Sequence, residues 1–442
     1  LISPDAASPK DTGALPQDAW SAYQKAITLL AALAVIFDGF DIQILGFAIP
    51  SIMREWHVAR ATFAPVAALG LAGMACGSPF AGYCGDRFGR RITLIGCVLL
   101  FGLATLATAF CGNVLQLGIL RTIAGIGVGG ALPNASALVA EFAPLRRRAA
   151  AVNLTIVCVP LGGMVAGVIA ARVLPVLGWH VLYMIGGGSP LFYALVLLIA
   201  LPESPGFLAR HPKRHQELMR VLARTGQFIH AKSEDSSGTS HRVTLRELFA
   251  PALRRDTLAL WLAYFASLNG IYLVLGWLPT MLTAQGLDVA TAGWGLASYN
   301  FGGVFGALAI ALLVSTTGSR GPLLWASLAG SASAFLLRFV PIVAGNENTL
   351  LIAGIGLHGL FANAVQTTMF ALAAHIYPTR VRATGIACAA SVGRVGAMLS
   401  SLSGAVIIQS GSGTFLTVLS VAMAVTFLGL ALVRNHCPGR RA

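Results

Sequence analysis

The sequence predicts an all-α integral membrane protein of twelve spanning helices arranged as two pseudo-symmetric six-helix bundles. Composition is the first reason: of 442 residues, 56% are hydrophobic and 10% charged, with a mean hydropathy of +0.77. A water-soluble fold of this length needs far more polar surface. The second reason is that apolar stretches of about the 20 residues needed to cross a bilayer recur along the chain. The third is that the second half of the chain repeats the first.

Taken in order, the polar opening (residues 1–26) lacks the basic start and short apolar core of a cleavable signal peptide and reads as a cytoplasmic N-terminal segment. Spans are predicted at 27–50, 62–84, 92–111, 115–141, 149–172 and 180–201, which make an N-terminal bundle over 27–201. The polar stretch 202–256 carries ten Lys/Arg against six Asp/Glu and reads as a cytoplasmic linker with short surface helices. Six more spans follow at 257–283, 290–314, 321–344, 349–376, 383–408 and 412–434, closing a C-terminal bundle over 257–434, with a cytoplasmic tail at 435–442.

Basic residues gather in alternate connections: Arg87, Arg90 and Arg91; Arg146, Arg147 and Arg148; the linker; Arg320; Arg380 and Arg382; and Arg434, Arg440 and Arg441. Positive loops stay on the cytoplasmic side, so both termini are expected inside. The formal charge of +14 is therefore a topology signal and does not indicate nucleic-acid binding. Seven cysteines form no CxxC pair and mostly lie in apolar runs, so neither a disulfide framework nor a metal site is expected. Glycine, at 50 residues, is spread through the spans as close helix packing requires. The run Gly125-Ile-Gly-Val-Gly-Gly130 follows no strand and belongs to such packing rather than to a dinucleotide loop.

The repeat is explicit in Glu141-Phe-Ala-Pro-Leu-Arg-Arg-Arg148 and His375-Ile-Tyr-Pro-Thr-Arg-Val-Arg382, which match Pro144 with Pro378, Arg146 with Arg380 and Arg148 with Arg382. Continuing that register, Gly162 falls on Gly396 and Pro160 on Arg394; likewise Phe37-Asp-Gly-Phe-Asp41 lies against Leu268-Asn-Gly-Ile-Tyr272. Parallel six-helix repeats place a ligand site at their interface near the membrane midplane. Chemistry is then expected where the duplicates differ, with Asp38 and Asp41 in one half and Arg394 in the other.

An ionisable group deep in a bilayer costs about 2.5 to 3.5 kcal/mol on insertion scales, so each needs a reason. Asp38 and Asp41 lie about 4.5 Å apart along one helix face. Two carboxylates that close cannot both ionise easily in a low dielectric, so the pair is a candidate proton-coupling site, with helix packing as the alternative. Arg394 presents a planar fork suited to a carboxylate, either that of a ligand or that of Asp38 or Asp41 across the interface. Arg121, the other internal base, is assigned to proton coupling or packing. Asn269, Tyr272, Trp277, Tyr299, Asn300 and Gln366, with Phe301, Phe361 and Asn363 nearby, are candidates to line a cavity for a ligand with an aromatic ring and a polar end. His358 is expected to be a packed polar residue.

Gly82-x-x-x-Asp86-Arg87-x-Gly89-Arg90-Arg91 strongly resembles the signature loop of the major facilitator superfamily, and Arg121-x-x-x-Gly125, Pro202-Glu-Ser-Pro205 and the twelve-span layout extend the likeness over nearly the whole chain. The resemblance implies that Asp86 latches the N half to the eleventh span and that its basic neighbours join a charge network, with Glu141 and Arg148 as partners by position. Within the superfamily, Asp38-Gly-Phe-Asp41, Trp277-Leu-Pro-Thr280, Tyr377-Pro-Thr-Arg-Val-Arg-Ala-Thr-Gly385 and Gly393-Arg-Val-Gly-Ala397 are similar to the aromatic acid:proton symporters. That likeness implies import of a benzoate-type acid into bacteria, across the inner membrane and driven by the proton gradient, with Asp38 and Asp41 essential. Two departures stand out: the second-half loop Thr316-Thr-Gly-Ser-Arg320 has lost its Asp, and Gly206 stands where many relatives are basic.

The expected function is thus proton symport of an aromatic carboxylate by alternating access in a monomer without cofactor. Proton-coupled efflux of amphipathic compounds and import of a non-aromatic acid are the alternatives. No nucleophile and base constellation marks an enzyme.

Overall fold

A computed structural model describes residues 20–144, 147–225, 245–342, 348–378 and 381–439. The expectations for the first 19 residues, for Arg146 and Arg380, for linker residues 226–244 and for Arg440 and Arg441 lie outside the described residues.

The N half comprises α1 (Ala22–Trp56), α2 (Phe63–Phe88), α3 (Arg90–Thr108), α4 (Val114–Phe142) and α5 (Arg148–Ala200). Short helices α6 (Pro205–Ala209) and α7 (His215–Thr225) follow, and the C half comprises α8 (Arg254–Ala284), α9 (Val289–Thr317), α10 (Arg320–Leu336), α11 (Thr349–Ile376), α12 (Arg382–Gln409) and α13 (Ser412–Leu432). Eleven helical stretches among the described residues are long and apolar enough to cross a membrane. One of them is two spans: α5 is interrupted at Gly178, whose φ of 74° and ψ of 180° are non-helical, within the gap predicted between 172 and 180. The total is therefore twelve, and the protein is an all-α, multi-span membrane protein. At its start, α1 is held by a reciprocal cap, with Ser21 Oγ accepting from Gln24 N at 3.2 Å and Gln24 Oε1 from Ser21 N at 3.0 Å.

Lipid offers no hydrophobic drive for helix association, so close packing must do it. Along α1 and α5, a Cβ on Gly39 would stand 2.1 Å from the Val159 carbonyl oxygen, and one on Gly162 would stand 2.0 Å from that of Ile36. The glycines of the 125–130 run bring α4 against α2 and α3 in the same manner: Gly125 abuts Gly70, Gly129 abuts Met74, and Gly127 abuts Cys97 and Phe101.

The bundles meet in the half of the molecule remote from the turn at Gly89, here called the far half. Gly46 lies against the Leu275 carbonyl, Gly167 against Ala297, and Gly293 against Ala171. One hydrophobic core runs through both bundles there, from Phe40 to Ile52 of α1 to Leu273, Leu278 and Leu282 of α8. At the Gly89 end, by contrast, a second core built from Ile27, Val35, Leu94, Phe101, Leu138 and Phe142 belongs to the N half alone. Between described residues a single polar contact crosses from bundle to bundle. Gln43 Nε2 donates to Asn300 Oδ1 at 3.0 Å, and Asn300 Nδ2 donates to Gln43 Oε1 at 2.7 Å.

Gly39→Leu is expected to destabilise the N half by about 1 to 3 kcal/mol, because rigid backbone faces the new side chain. Thermal unfolding in detergent should show a lowered Tm. Gly82→Ala, whose Cβ would meet nothing within 4 Å, should leave the Tm unchanged or slightly raised.

Candidate functional site

The acidic pair divides. Asp41, fully buried, is neutralised by Arg121 from α4: Nη1 stands 3.4 Å from each carboxylate oxygen, and Nη2 donates to the Asp41 backbone oxygen at 2.9 Å. Thr105 of α3 donates its hydroxyl to Asp41 Oδ1. Three helices thus converge on one carboxylate, and a bilayer interior demands such pairing. A cavity beside it is lined by Met74, Arg121, Tyr272 and Ser401, so α2, α4, α8 and α12 all reach the Asp41 side of α1.

Asp38, one turn away, is 2% exposed, and its Oδ1 is shut off from solvent with no hydrogen-bond partner. Arg394 stands in the middle of α12, half-buried, with neither an ion pair nor a hydrogen bond among the described residues. Tyr272 of α8, also half-buried, lies in the field of both charges. The same bundle supplies two amides. Asn269 Nδ2 donates to the Gly396 carbonyl at 3.0 Å, leaving its oxygen uncommitted, and Gln366 Oε1 accepts from Ser267 at 2.8 Å, leaving its NH2 uncommitted. The arrangement can therefore hold an anion at Arg394, take up a proton at Asp38, and offer a donor and acceptors to a polar ring substituent.

Other candidates stand elsewhere. Trp277 is fully buried, donates Nε1 to the Ser401 carbonyl at 3.2 Å and packs on Gly404, so it joins α8 to α12. Tyr299 is fully buried with its ring 6.0 Å from that of His358, between α9 and α11. Asn300 is engaged with Gln43. Phe301 is 54% exposed on the outside of the bundle and Phe361 packs against Gly330. Asn363 donates to the Gly359 carbonyl at 3.0 Å. His358 is a packed polar residue, with Nδ1 between Ser333 Oγ and the Gly330 carbonyl.

At the Gly89 end the loop residues form a network of their own. Gly89, with φ 106°, ends α2 and lets α3 begin at once. Asp86 pairs with Arg90, whose Nε is 3.9 Å from Glu141 Oε1, while Glu141 Oε2 accepts from Gly206 N at 3.0 Å. Arg87 donates to the Tyr83 hydroxyl at 2.6 Å and Arg91 to the Leu198 carbonyl at 2.5 Å. The partner of Glu141 is thus Arg90; Arg148 is exposed and pairs with no described residue. Asp86 keeps 60% side-chain exposure and its ion pair stays within the N half, so the latch to α12 that the resemblance implies is not engaged here.

Sequence reasoning missed three residues. Glu203, fully buried, accepts from Arg91 N at 3.1 Å and Ser204 N at 2.9 Å, placing a carboxylate at the start of α3. Its signal was an acid between two prolines directly after a span. Thr105 and Gln43 had no signal beyond polarity in an apolar run.

The profile described as "Sugar (and other) transporter" matches residues 27–437. The chain belongs to that family. This transporter of the major facilitator superfamily is 34% identical to the gallate transporter of Pseudomonas putida, over 94% of its own length and 92% of that protein. It is 35% identical to the 4-hydroxybenzoate transporter of Pseudomonas aeruginosa over 88% of each chain. Its fold is that of the xylose transporter of E. coli in a partially occluded inward-open conformation, with a TM-score of 0.73 over 94% of this chain and 99% of that one, at 19% identity.

Removing one partner from a buried ion pair leaves an uncompensated charge that costs about 3 to 5 kcal/mol. Arg121→Ala is accordingly expected to lower thermal stability strongly, while a double variant with Asp41→Asn and Arg121→Gln recovers most of it. Scanning fluorimetry of the purified variants measures both.

Proposed function

We propose that this transporter imports an aromatic carboxylate of the benzoate or hydroxybenzoate type together with a proton, by alternating access across the bacterial inner membrane. In this reading the Gly89 end and both termini are cytoplasmic, as the arginine-rich connections favour. It works as a monomer with the site between its two halves. The names of the gallate and 4-hydroxybenzoate relatives, and of the benzoate transport protein of Acinetobacter baylyi at 29% identity over 85% of this chain, support the substrate class. The observation that carries the proposal is internal: once Asp41 and Arg121 have neutralised each other, Asp38 and Arg394 remain without partners, one in each half.

Charge balance then dictates the cycle. The substrate carboxylate neutralises Arg394, and a proton neutralises Asp38, so the loaded core holds no unpaired charge and can change conformation in the bilayer. With only one of the two bound, a net charge stays buried, and the coupling of proton and anion is reciprocal. Asp38, rather than Asp41, is the proton carrier, because Asp41 is already committed to Arg121 and Thr105. Tyr272, Asn269 and Gln366 contact the ring and its substituents. The N-half network around Asp86 and Glu141 serves the cytoplasmic gate.

Proteoliposome uptake of labelled 4-hydroxybenzoate tests this. Asp38→Asn should abolish accumulation driven by an imposed pH gradient while sparing counterflow, since the neutral side chain mimics the protonated form. Arg394→Gln should weaken binding at least tenfold, as the loss of a charge-assisted hydrogen bond worth about 1.5 to 3 kcal/mol requires. Gradient-driven accumulation that survives unchanged in Asp38→Asn would sink the assignment of that residue.

A further inference from the structure

The cavity beside Asp41 has no task in the proposed cycle. It lies between the bundles, walled by Asp41, Met74 and Arg121 from the N half and by Tyr272, Gly276 and Ser401 from the C half. Tyr272 joins it to the site, because the same side chain lies in the field of Asp38 and Arg394. On α12, Ser401 follows Arg394 by seven residues, so the two share a face about 10 Å apart along the axis. On α8, Gly276 follows Tyr272 by one turn. Both steps lead toward the far half, where Gly46 meets Leu275, and both of those residues also line the cavity. The cavity therefore caps the far end of the site.

Its size and its lining are selective. The volume is about 50 Å³, a third of the roughly 150 Å³ of an apolar cavity that takes up benzene. It has room for a substituent and not for a ring. Asp41 Oδ2 has its 3.4 Å ion pair with Arg121 but no hydrogen bond, and Arg121 Nε has no partner, although both atoms are sealed from solvent. Ser401, 3% exposed, spends its hydroxyl proton on the Ala397 carbonyl at 3.1 Å and keeps an oxygen able to accept. Residues of the wall thus hold unspent acceptors and a donor, and a hydroxyl is the small group that answers both. The two glycines differ in kind. Gly46 is needed for backbone contact with Leu275, whereas a Cβ on Gly276 would meet nothing within 4 Å. No packing demand explains the missing side chain at Gly276, and the space it leaves belongs to the cavity.

We infer that this cavity is the subsite for a ring hydroxyl opposite the substrate's carboxylate, with Ser401 and Gly276 setting the preference for it. The inference rests on the proposed anchoring of an aromatic carboxylate at Arg394. The ring passes Tyr272, and its far hydroxyl donates to Ser401 Oγ. A second ring in that position is excluded by the volume.

Isothermal titration calorimetry of the purified full chain with benzoate, 3-hydroxybenzoate and 4-hydroxybenzoate tests it. The wild type should bind 4-hydroxybenzoate about fivefold more tightly than the other two, as one added neutral hydrogen bond allows. Ser401→Ala should bring 4-hydroxybenzoate and benzoate to within about twofold of each other. Gly276→Ala, which fills the space, should weaken 4-hydroxybenzoate relative to benzoate by about fivefold or more. Arg394→Gln should weaken all three by a common factor. Equal affinities for benzoate and 4-hydroxybenzoate in the wild type overturn the subsite and leave water as its occupant. A preference that survives in both Ser401→Ala and Gly276→Ala overturns it as well. Binding of none of the three acids would instead overturn the aromatic-carboxylate reading, and the subsite with it.

Discussion

A membrane interior tolerates almost no uncompensated charge, and the arrangement of the charged groups at the centre of this protein is governed by that. Asp41 is paired with Arg121 and accepts from Thr105, contacts that also fasten α1 to α3 and α4. Asp38 and Arg394 are left over. Held on different bundles, they are the two groups that a proton and a substrate anion complete in the proposed cycle.

Packing enforces the same division. Within each bundle the helices touch backbone to backbone, through Gly39 and Gly162 in the N half and through Gly302 against Gly356 in the C half. Such contacts leave no room for a side chain between the backbones. Between the bundles the contacts lie in the far half, and the N-half core at the Gly89 end is separate. Close-packed halves that meet on one side suit the rocking that the proposed alternating access calls for.

Much of this was legible in the sequence, and the exceptions have physical causes. Hydropathy located all twelve spans, including the pair that is one helix interrupted at Gly178. The repeat isolated Asp38, Asp41 and Arg394, because duplication makes a difference between the halves visible. It could not separate the two aspartates, since the partner of Asp41 comes from a residue 80 positions away. Aromatic candidates fared differently. Trp277 and Tyr299 lie on helix faces that a run of uniformly apolar sequence does not distinguish from the cavity face, and both are core. Glu203 was read only as part of a motif, whereas its carboxylate closes the start of α3.

The clasp between Gln43 and Asn300 has a consequence for energetics. Two amides exchange two hydrogen bonds, carry no net charge and take up no proton in the physiological range. Parting them moves no charge through the membrane field. The clasp itself is therefore indifferent to voltage and to the acidity of either compartment. In the proposed cycle the proton acts at Asp38 and is linked to the clasp through α1, which carries Asp38 and Gln43 five residues apart.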